Sequence, residues 1–407
     1  MSLAIPSLVA LLSAPLAAWA AQSAQPDQPD RTAAVDGNNA FAVDLYGHLR
    51  AQNGNLFFSP ESISTALAMT SAGARGDTAA EMARTLHFSL PPARLHPAMG
   101  ALLADLNAAH ASYQLRVANA IWAQQGEHFL PDFLKIADSG YGAGFNQVDF
   151  ENATEAARQT INRWVEQKTE DKIKDLIGPG VLDHRTKLVL TNAIYFKGAW
   201  QSPFSKSATQ EDDFHVSPSQ AVKAPLMHRQ GTYNYFNGGS FQALEIPYKD
   251  WDLSMIVLLP SGIAGLPALE QSITAAALQD WLGRLRPAHE VILTLPRFKM
   301  TQQFSLSGTL AAMGMSTAFN KETADFTGMT EKRGLYLSAV IHKAFVDVNE
   351  EGTEAAAATG VVGGRAMAIQ RPQPPIVFRA DHPFLFLIRE RKSGGILFMG
   401  RVTEPAK

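Results

Sequence analysis

Residues 349–359 read Asn-Glu-Glu-Gly-Thr-Glu-Ala-Ala-Ala-Ala-Thr, and this stretch constrains the fold more than any other in the chain. It follows a strand-like run from Leu335 to Val348 and precedes a glycine-rich segment from Gly360 to Gly364. Small residues with one solvating carboxylate, at Glu354, offer no catalytic chemistry. They fit an exposed loop, and they also fit a strand inserted between other strands. The stretch is therefore a candidate mechanical switch.

The composition is that of a soluble globular protein. The chain has 407 residues, of which 46% are hydrophobic and 18% charged, so it can bury one large core or two. A net charge of -3 gives no reason to expect nucleic acid or a membrane surface as a partner. The chain contains no cysteine, which excludes disulfides, a thiol nucleophile and a thiolate metal site. We expect no metal and no cofactor.

The N-terminus predicts export. Residues 1–20 carry no charged side chain, and Ala18-Trp19-Ala20 before Ala21 is a small-x-small cleavage site. This pattern indicates a signal peptide and a secreted or periplasmic protein, although the segment before the apolar run lacks Lys and Arg. A flexible polar linker is predicted over residues 21–33. No repeat or composition shift follows, so we expect one domain over residues 34–405.

Local patterns indicate an α+β fold. Ser59-Pro60 predicts a helix start, with Ser as N-cap and Pro in the first turn, and residues 154–177 predict an amphipathic helix. Five runs predict strands: residues 188–196, 253–259, 290–295, 335–348 and 384–388.

The strand before the candidate switch carries polar groups on an apolar face. Period-two alternation places five side chains on that face: His342, Ala344, Val346, Val348 and Glu350. Buried polar groups need partners, because an unpaired one costs a few kcal/mol. A catalytic pair is one interpretation. A structural hydrogen-bond network for His342 and a cation partner for Glu350 is favoured, since buried polar groups are usually satisfied in this way.

An ordered series of motifs covers nearly the whole chain. It comprises Asn55–Pro60 with Ser62 and Ala66, Thr191–Trp200, Ala243–Tyr248, Leu295–Lys299, His342–Thr359, and Ala380–Arg389 closing on Phe398–Arg401. Together they resemble the serpin family of serine protease inhibitors. The chain is identified as a member of the inhibitory type, resembling bacterial and plant members.

The resemblance implies a serpin fold: a large central mixed β-sheet with flanking helices, smaller sheets and an exposed reactive-centre loop over about residues 350–376. A target protease cleaves this loop and forms an acyl-enzyme, and the freed loop then inserts as a strand of the central sheet. The catalytic triad belongs to the target. The expected protein is a monomeric suicide inhibitor of serine proteases, with cysteine proteases as a further class of target. A non-inhibitory chaperone or carrier is the alternative.

The resemblance also assigns control residues. The shutter, where the sheet opens, comprises Ser59, Ser62, Asn192 and His342. The breach, where the loop first enters, comprises Trp200, Arg297 and Glu350. These assignments pair Glu350 with Arg297, and His342 with Asn192 or a serine. For Trp200, an ordinary core aromatic is the alternative.

The composition of the hinge favours inhibition. Its residues are Glu350, Gly352, Thr353, Glu354, Ala355, Ala356, Ala357, Ala358 and Thr359. If Glu354 stays in water on insertion, Thr353 and every second residue after it face the core. All of those are small or β-branched, so none clashes beneath the opened sheet. A non-inhibitory hinge would carry bulky, charged or proline residues.

Two neighbouring bonds are candidates for cleavage. The usual family spacing from the hinge places the cut between Ala366 and Met367, which suits an elastase-like protease. Cleavage between Arg365 and Ala366 would suit a trypsin-like one. The proline-rich segment from Ile369 to Pro375 leaves both open. A hydrolase is not favoured, because the chain has no G-x-S-x-G, H-E-x-x-H or phosphate-binding loop motif.

Overall fold

The computed structural model describes residues 28–108, 112–142, 144–353 and 374–405. Its helices are α1 (Gln28–Leu49), α2 (Pro60–Ser71), α3 (Gly76–Thr85), α4 (Pro92–Asn107), α5 (Pro131–Lys135), α6 (Phe150–Lys168), α7 (Leu266–Ser272), α8 (Ala275–Gly283) and α9 (Ser307–Ala312). Among these residues, no helix has the length and apolar character needed to span a membrane.

The strands in the same ranges are β1 (Leu56–Phe58), β2 (Tyr113–Gln124), β3 (Gly144–Val148), β4 (Leu188–Ala199), β5 (Gln210–Ser217), β6 (Gln220–Asn237), β7 (Phe241–Pro247), β8 (Leu253–Pro260), β9 (Arg286–Pro296), β10 (Phe298–Ser305), β11 (Leu337–Asn349), β12 (Gly352–Thr353), β13 (Ile376–Arg379), β14 (Phe384–Glu390) and β15 (Ile396–Val402). All five predicted strands are present, four of them extended by a few residues and one, β11, starting slightly later than predicted. The α+β class is confirmed.

The strands form two sheets. One has nine strands in the order β1-β15-β14-β8-β7-β6-β9-β13, with β5 paired to β6. The other has six strands in the order β10-β11-β12-β4-β2-β3. Helices interleave with the strands along the chain, so the mixed architecture expected from the motif series is confirmed.

The centre of the six-stranded sheet is a parallel pair. Leu188 to Tyr195 of β4 pair directly with Leu337 to Phe345 of β11. Beyond this region the two strands separate, and the two residues of β12 lie between them, antiparallel to both. The six-stranded sheet is therefore closed where β4 and β11 pair directly. It is partly filled by β12 at the C-terminal ends of these two strands.

Both faces of this central pair are buried. Phe196 and Val346 belong to an apolar cluster that includes side chains from both sheets. On the opposite face, Tyr195 and Ile341 pack with Ile161 of α6. A strand covered on both faces reads as a continuous apolar run, which is the pattern seen in β4.

Helix α2 lies behind the six-stranded sheet. The Ser59 side chain caps it by accepting a hydrogen bond of 3.2 Å from the Ser62 N–H, and Pro60 occupies the first turn, as the sequence predicts. Every residue from Pro60 to Thr70 is buried, since α2 packs against β2, β4 and β15 as well as helices. The N-terminus of α2 is therefore fixed directly beneath the sheet.

The predicted linker over residues 21–33 is wrong from Gln28 onward, because α1 begins there. The Asp30 carboxylate is buried and accepts hydrogen bonds of 3.0 and 3.1 Å from the Arg94 Nε of α4. Polar composition suggested a free segment, but this ion pair holds the start of the helix against the domain. The rest of the linker and the whole predicted signal peptide lie outside the described residues.

The predicted helix over residues 154–177 is also corrected. Helix α6 begins four residues earlier, at Phe150, and ends at Lys168. Glu170 and Asp171 adopt positive φ angles of 51° and 59°, which a right-handed helix does not allow. Ile173, Leu176 and Ile177 are buried, so their apolar spacing reflects packing of an irregular segment.

Candidate functional site

The shutter residues form one hydrogen-bond network. His342 on β11 lies directly opposite Asn192 on β4, and its Nδ1 is hydrogen-bonded to the Asn192 Oδ1. The Asn192 amide nitrogen donates to the Ser62 Oγ, and the backbone N–H of Ser59 donates to the His342 Nε2 at 3.1 Å. The network therefore ties the N-terminus of α2 to both strands of the central pair.

These contacts fix the protonation state of His342. Because its Nε2 accepts from the Ser59 N–H, the proton of the neutral ring is on Nδ1 and is donated to Asn192. His342 is fully buried, and burial lowers its pKa from 6.5 to about 3. The Ser59 hydroxyl donates instead to the carbonyl oxygen of Leu397, at 2.7 Å. The network contains no nucleophile–base pair, so the catalytic interpretation of His342 is not supported.

Asn119 extends the network to a third strand and was missed by the sequence analysis. It lies on β2, where its Oδ1 accepts from the Ser62 hydroxyl at 3.2 Å and from the Asn192 amide. Its amide nitrogen donates to the Ser62 carbonyl oxygen at 3.2 Å. The available signal was an asparagine within an alternating apolar run, but no strand was predicted there. With Asn119 included, α2 holds β2, β4 and β11 together.

At the breach, Glu350 is buried and doubly contacted. Its Oε1 accepts a 2.7 Å hydrogen bond from the Thr209 hydroxyl. The Arg297 Nε lies 3.7 Å from its Oε2, with side-chain exposures of 51% for Arg297 and 7% for Glu350. The two residues paired by the resemblance are therefore adjacent, in a single long contact instead of a bidentate one. The hydrogen bond from Thr209, which the sequence analysis did not identify, is the shorter interaction.

Trp200 fixes the backbone at the C-terminal end of β11. Its indole N–H donates to the carbonyl oxygen of Asn349, and its backbone N–H donates to that of Glu351, both at 2.9 Å. The ring is buried and stacks on Tyr248 with centroids 4.6 Å apart. Trp200 is thus a core aromatic that also positions the residues leading into the hinge.

The first hinge residues already form a strand. Gly352 and Thr353 pair with β11 on one side and with Gly198 and Ala199 of β4 on the other. Thr353 is fully buried, and its hydroxyl shares a 2.8 Å hydrogen bond with the Tyr248 hydroxyl. The predicted inward orientation of Thr353 is therefore observed. Hinge residues from Glu354 to Thr359, and the candidate cleavage residues Arg365, Ala366 and Met367, lie outside the described residues.

Gly352 is required by the close approach of this strand. Its φ angle is +149°, and a Cβ at this position would lie 2.1 Å from the Gly198 carbonyl oxygen. Atoms cannot approach that closely without a shift of the backbone. Only glycine allows the hinge to enter between β4 and β11 along this path.

The surface beside the hinge is an open polar cavity of about 550 Å³, lined by Lys206, Thr209, Gln210, Glu211, Pro225, Arg297, Asn349, Glu350 and Glu351. Lys206 and Glu351 form an ion pair of 2.7 Å across it. Within the described part of the chain, no group of three or more His, Asp or Glu side chains is placed to hold a metal ion.

The six-stranded sheet therefore holds a two-residue strand of the hinge between β4 and β11 at one end. Comparison with known proteins identifies the class. A model of the family described as Serpin (serine protease inhibitor) matches residues 36–405. The chain belongs to the serpin family, and it is a protease inhibitor, not an enzyme.

Known proteins are similar to this chain, in sequence or in structure, over nearly its whole length. The human leukocyte elastase inhibitor is 42% identical over 380 residues, covering 90% of this chain and 98% of that protein. The leukocyte elastase inhibitor of Sus scrofa is 44% identical with the same coverage. Among solved structures, Serpin48 of the insect Tenebrio molitor has a TM-score of 0.82 and 33% identity, covering 93% of this chain and 99% of that one. Uncleaved ovalbumin has a TM-score of 0.84 and 29% identity, covering 92% and 100%.

We expect Asn192→Ala to weaken the sheet at the shutter. The change leaves the buried His342 Nδ1–H without an acceptor and removes the hydrogen bonds that the Ser62 Oγ and the Asn119 Oδ1 accept from Asn192, which should lower the free energy of unfolding by about 2–3 kcal/mol. Urea unfolding followed by fluorescence measures this. The exposed Asn53 is a matched control, and Asn53→Ala should change stability by less than about 0.5 kcal/mol. Equal stabilities for the two variants would contradict the role given to the network.

Proposed function

We propose that this protein is a suicide-substrate inhibitor of an elastase-like serine protease. The observation that supports the proposal is β12, where the hinge already lies between β4 and β11. After cleavage of the loop, the residues that follow Thr353 extend this strand between β4 and β11, toward the N-terminal ends of those two strands. The protease, still bound as the acyl-enzyme, is carried along and distorted before deacylation.

Insertion replaces a weaker arrangement by a stronger one. In the native form β4 and β11 pair with each other in parallel, whereas an extended β12 would pair with both in the antiparallel sense, which is more stable per residue. The new strand would add about a dozen ladder hydrogen bonds at roughly 1 kcal/mol net each. The total, on the order of 10 kcal/mol, is comparable with the stability of a typical domain. The native form is then metastable and persists because of a kinetic barrier.

The shutter supplies part of that barrier. Separation of β4 from β11 breaks the contact between Asn192 and His342, together with the direct backbone pairing of the two strands. The contacts of α2 with β2 and β4 through Ser62 must also adjust. A buried network of this kind resists opening until insertion of the cleaved loop compensates for its loss.

The sequence around the cleavage site supports an elastase-like target. Alanine at position 366 fits a small primary pocket, and two of the similar proteins, those of human and Sus scrofa, are leukocyte elastase inhibitors. Cleavage between Arg365 and Ala366 by a trypsin-like protease is the alternative bond, and cysteine proteases are a further class of target. A non-inhibitory carrier or chaperone role is not favoured by these relatives.

A protease panel tests the proposal. Mixed with an elastase-like protease, the protein should form a covalent complex that survives SDS, and the released C-terminal peptide should begin at Met367 by mass spectrometry. Trypsin-, chymotrypsin- and subtilisin-like enzymes serve as comparisons. A released peptide that begins at Ala366 would overturn the assigned bond, and cleavage by every enzyme without any covalent complex would overturn inhibition.

Thr353→Arg should convert the inhibitor into a substrate. Thr353 is fully buried in β12, and a guanidinium there would be desolvated with no anion to pair with it. The loop should then be cut without trapping the protease, so that many molecules are consumed for each protease inactivated. The stoichiometry of inhibition measures this. Glu354→Arg, at the adjacent position predicted to face water, is the matched control and should retain inhibition.

Export remains a proposal, supported by the sequence of residues 1–20 alone. We infer that cleavage after Ala20 releases a secreted or periplasmic protein whose first residue is Ala21. N-terminal sequencing of the protein from its natural source checks this. Recovery of the intact chain from the cytoplasm would contradict it.

A further inference from the structure

Glu61 is a buried carboxyl group that has no cationic partner among the described residues. It lies in the first turn of α2 and is 6% exposed. Its one hydrogen bond comes from the Thr65 hydroxyl, at 3.3 Å. It borders a cavity of about 10 Å³, which has room for one water at most. The other walls are mostly apolar: Leu103, Leu106, Leu115, Val117, Ile194 and Leu397.

Within the described ranges, no charged side chain pairs with this carboxyl group or contributes to its pKa. Helix α2 has no other titratable residue. The charged groups and the histidine on α4, β2 and β15 bind partners elsewhere: Arg94 binds Asp30, His96 binds Tyr141, Asp105 binds Arg31, Arg116 binds Glu170 and Arg401 binds Glu270. Tyr113 of β2 packs against Phe196, and burial raises its pKa, so it is neutral. On α1 and α3, Tyr46 binds Glu270 and Glu81 binds Thr317, while the remaining charged groups are exposed: Asp36, Asp44, His48, Asp77 and Arg84. On β4, Lys197 alternates with the inward Phe196 and lies on the opposite face. His342 on β11 is hydrogen-bonded to Ser59 and Asn192 and not to Glu61.

The position of Glu61 couples it to opening of the sheet. Its helical turn also contains Ser59 and Ser62, through which α2 binds β11, β4 and β2. Three residues of the cavity wall belong to the sheet: Leu115 and Val117 to β2 and Ile194 to β4. Separation of β4 from β11 requires at least one of them to shift relative to α2, because α2 binds β4 through Ser62 and β11 through Ser59. A shift of β4 together with β2 would open the cavity to water.

We propose that the protonation state of the Glu61 carboxyl controls how readily the sheet opens. The neutral acid is compatible with the mostly apolar cavity and so with the closed sheet packed on α2. The carboxylate, which has no counter-charge there, favours the opened sheet where water can reach it. The effect of Glu61 on inhibition rests on the proposed insertion mechanism, whereas the burial of its carboxyl group does not depend on that mechanism.

The pH window follows from two neighbouring groups. Burial raises the pKa of Glu61 from 4.5 to about 7, so its contribution to stability is full below pH 4.5 and is lost as the pH rises through 7. His342 acts in the opposite sense. Its pKa is lowered from 6.5 to about 3, so its contribution is full above pH 6.5 and is lost on acidification. The two effects oppose each other between 4.5 and 6.5, and the effect of Glu61 dominates between about pH 6.5 and 8.

Peptide incorporation into the uncleaved protein measures opening directly. The probe is a fluorescein-labelled synthetic peptide with the sequence of residues 350–366, followed by anisotropy. The wild-type protein should incorporate it faster at about pH 8 than at about pH 6.5, by roughly threefold, which is the ratio expected if opening lowers the pKa of Glu61 by one unit from about 7. Glu61→Gln, which cannot ionise, should show no such ratio. The exposed Glu322 is the matched control, and Glu322→Gln should keep the wild-type ratio.

The outcomes separate this proposal from the insertion mechanism. A wild-type ratio in Glu61→Gln would overturn the role of Glu61. If Glu61→Gln does not fold, Glu61→Leu fills the cavity with an apolar side chain and should also be insensitive to pH. If no variant incorporates the peptide at any pH, the insertion mechanism fails. The urea midpoint then still tests Glu61, since between pH 6.5 and 8 it should fall in the wild-type protein and stay level in Glu61→Gln, and parallel curves would overturn the proposal.

Discussion

The direct parallel pairing of β4 with β11 is the constraint on which the rest of the structure depends. These strands pair over Leu188 to Tyr195 and Leu337 to Phe345, while the chain itself carries a segment able to lie between them. Because a strand antiparallel to both would make more hydrogen bonds, the native pairing is a compromise. The two residues of β12 show the favoured arrangement already established at one end of the sheet. Inhibition of a protease uses the difference in free energy between the two arrangements.

Two groups of side chains regulate the use of that energy. At the breach, Trp200 holds the backbone of residues 349–351 in the path of insertion, and Gly352 permits close passage along β4. At the shutter, His342 and Asn192 link the two strands to each other and to α2. The breach therefore directs the strand, whereas the shutter sets the resistance that it meets. The shutter is built from neutral hydrogen bonds in buried surroundings, where an unsatisfied group is costly, whereas the breach also contains the contacts of the buried Glu350 with Arg297 and Thr209.

The sequence predicted the elements with simple periodicity and the residues that share a face with them. Alternation placed His342 and Glu350 on one buried face of β11, and Ser59-Pro60 marked the start of α2. It did not predict Asn119 or Thr209, because their roles depend on which distant strands become neighbours. The helix was wrongly predicted to continue beyond Lys168. Positive φ angles at Glu170 and Asp171 prevent its continuation, and apolar spacing alone does not reveal them. The start of α1 was misread because its polar residues are held by an ion pair with α4.

Thermal unfolding before and after a single cut in the loop tests the central claim most directly. A protease that cleaves the loop without being trapped, used on the purified protein, produces the nicked form, and calorimetry compares the two melting temperatures. The account predicts a large rise on cleavage, since insertion adds about 10 kcal/mol to a protein of ordinary stability. An unchanged or lower melting temperature would show that the native sheet stores no such energy, and would contradict the account.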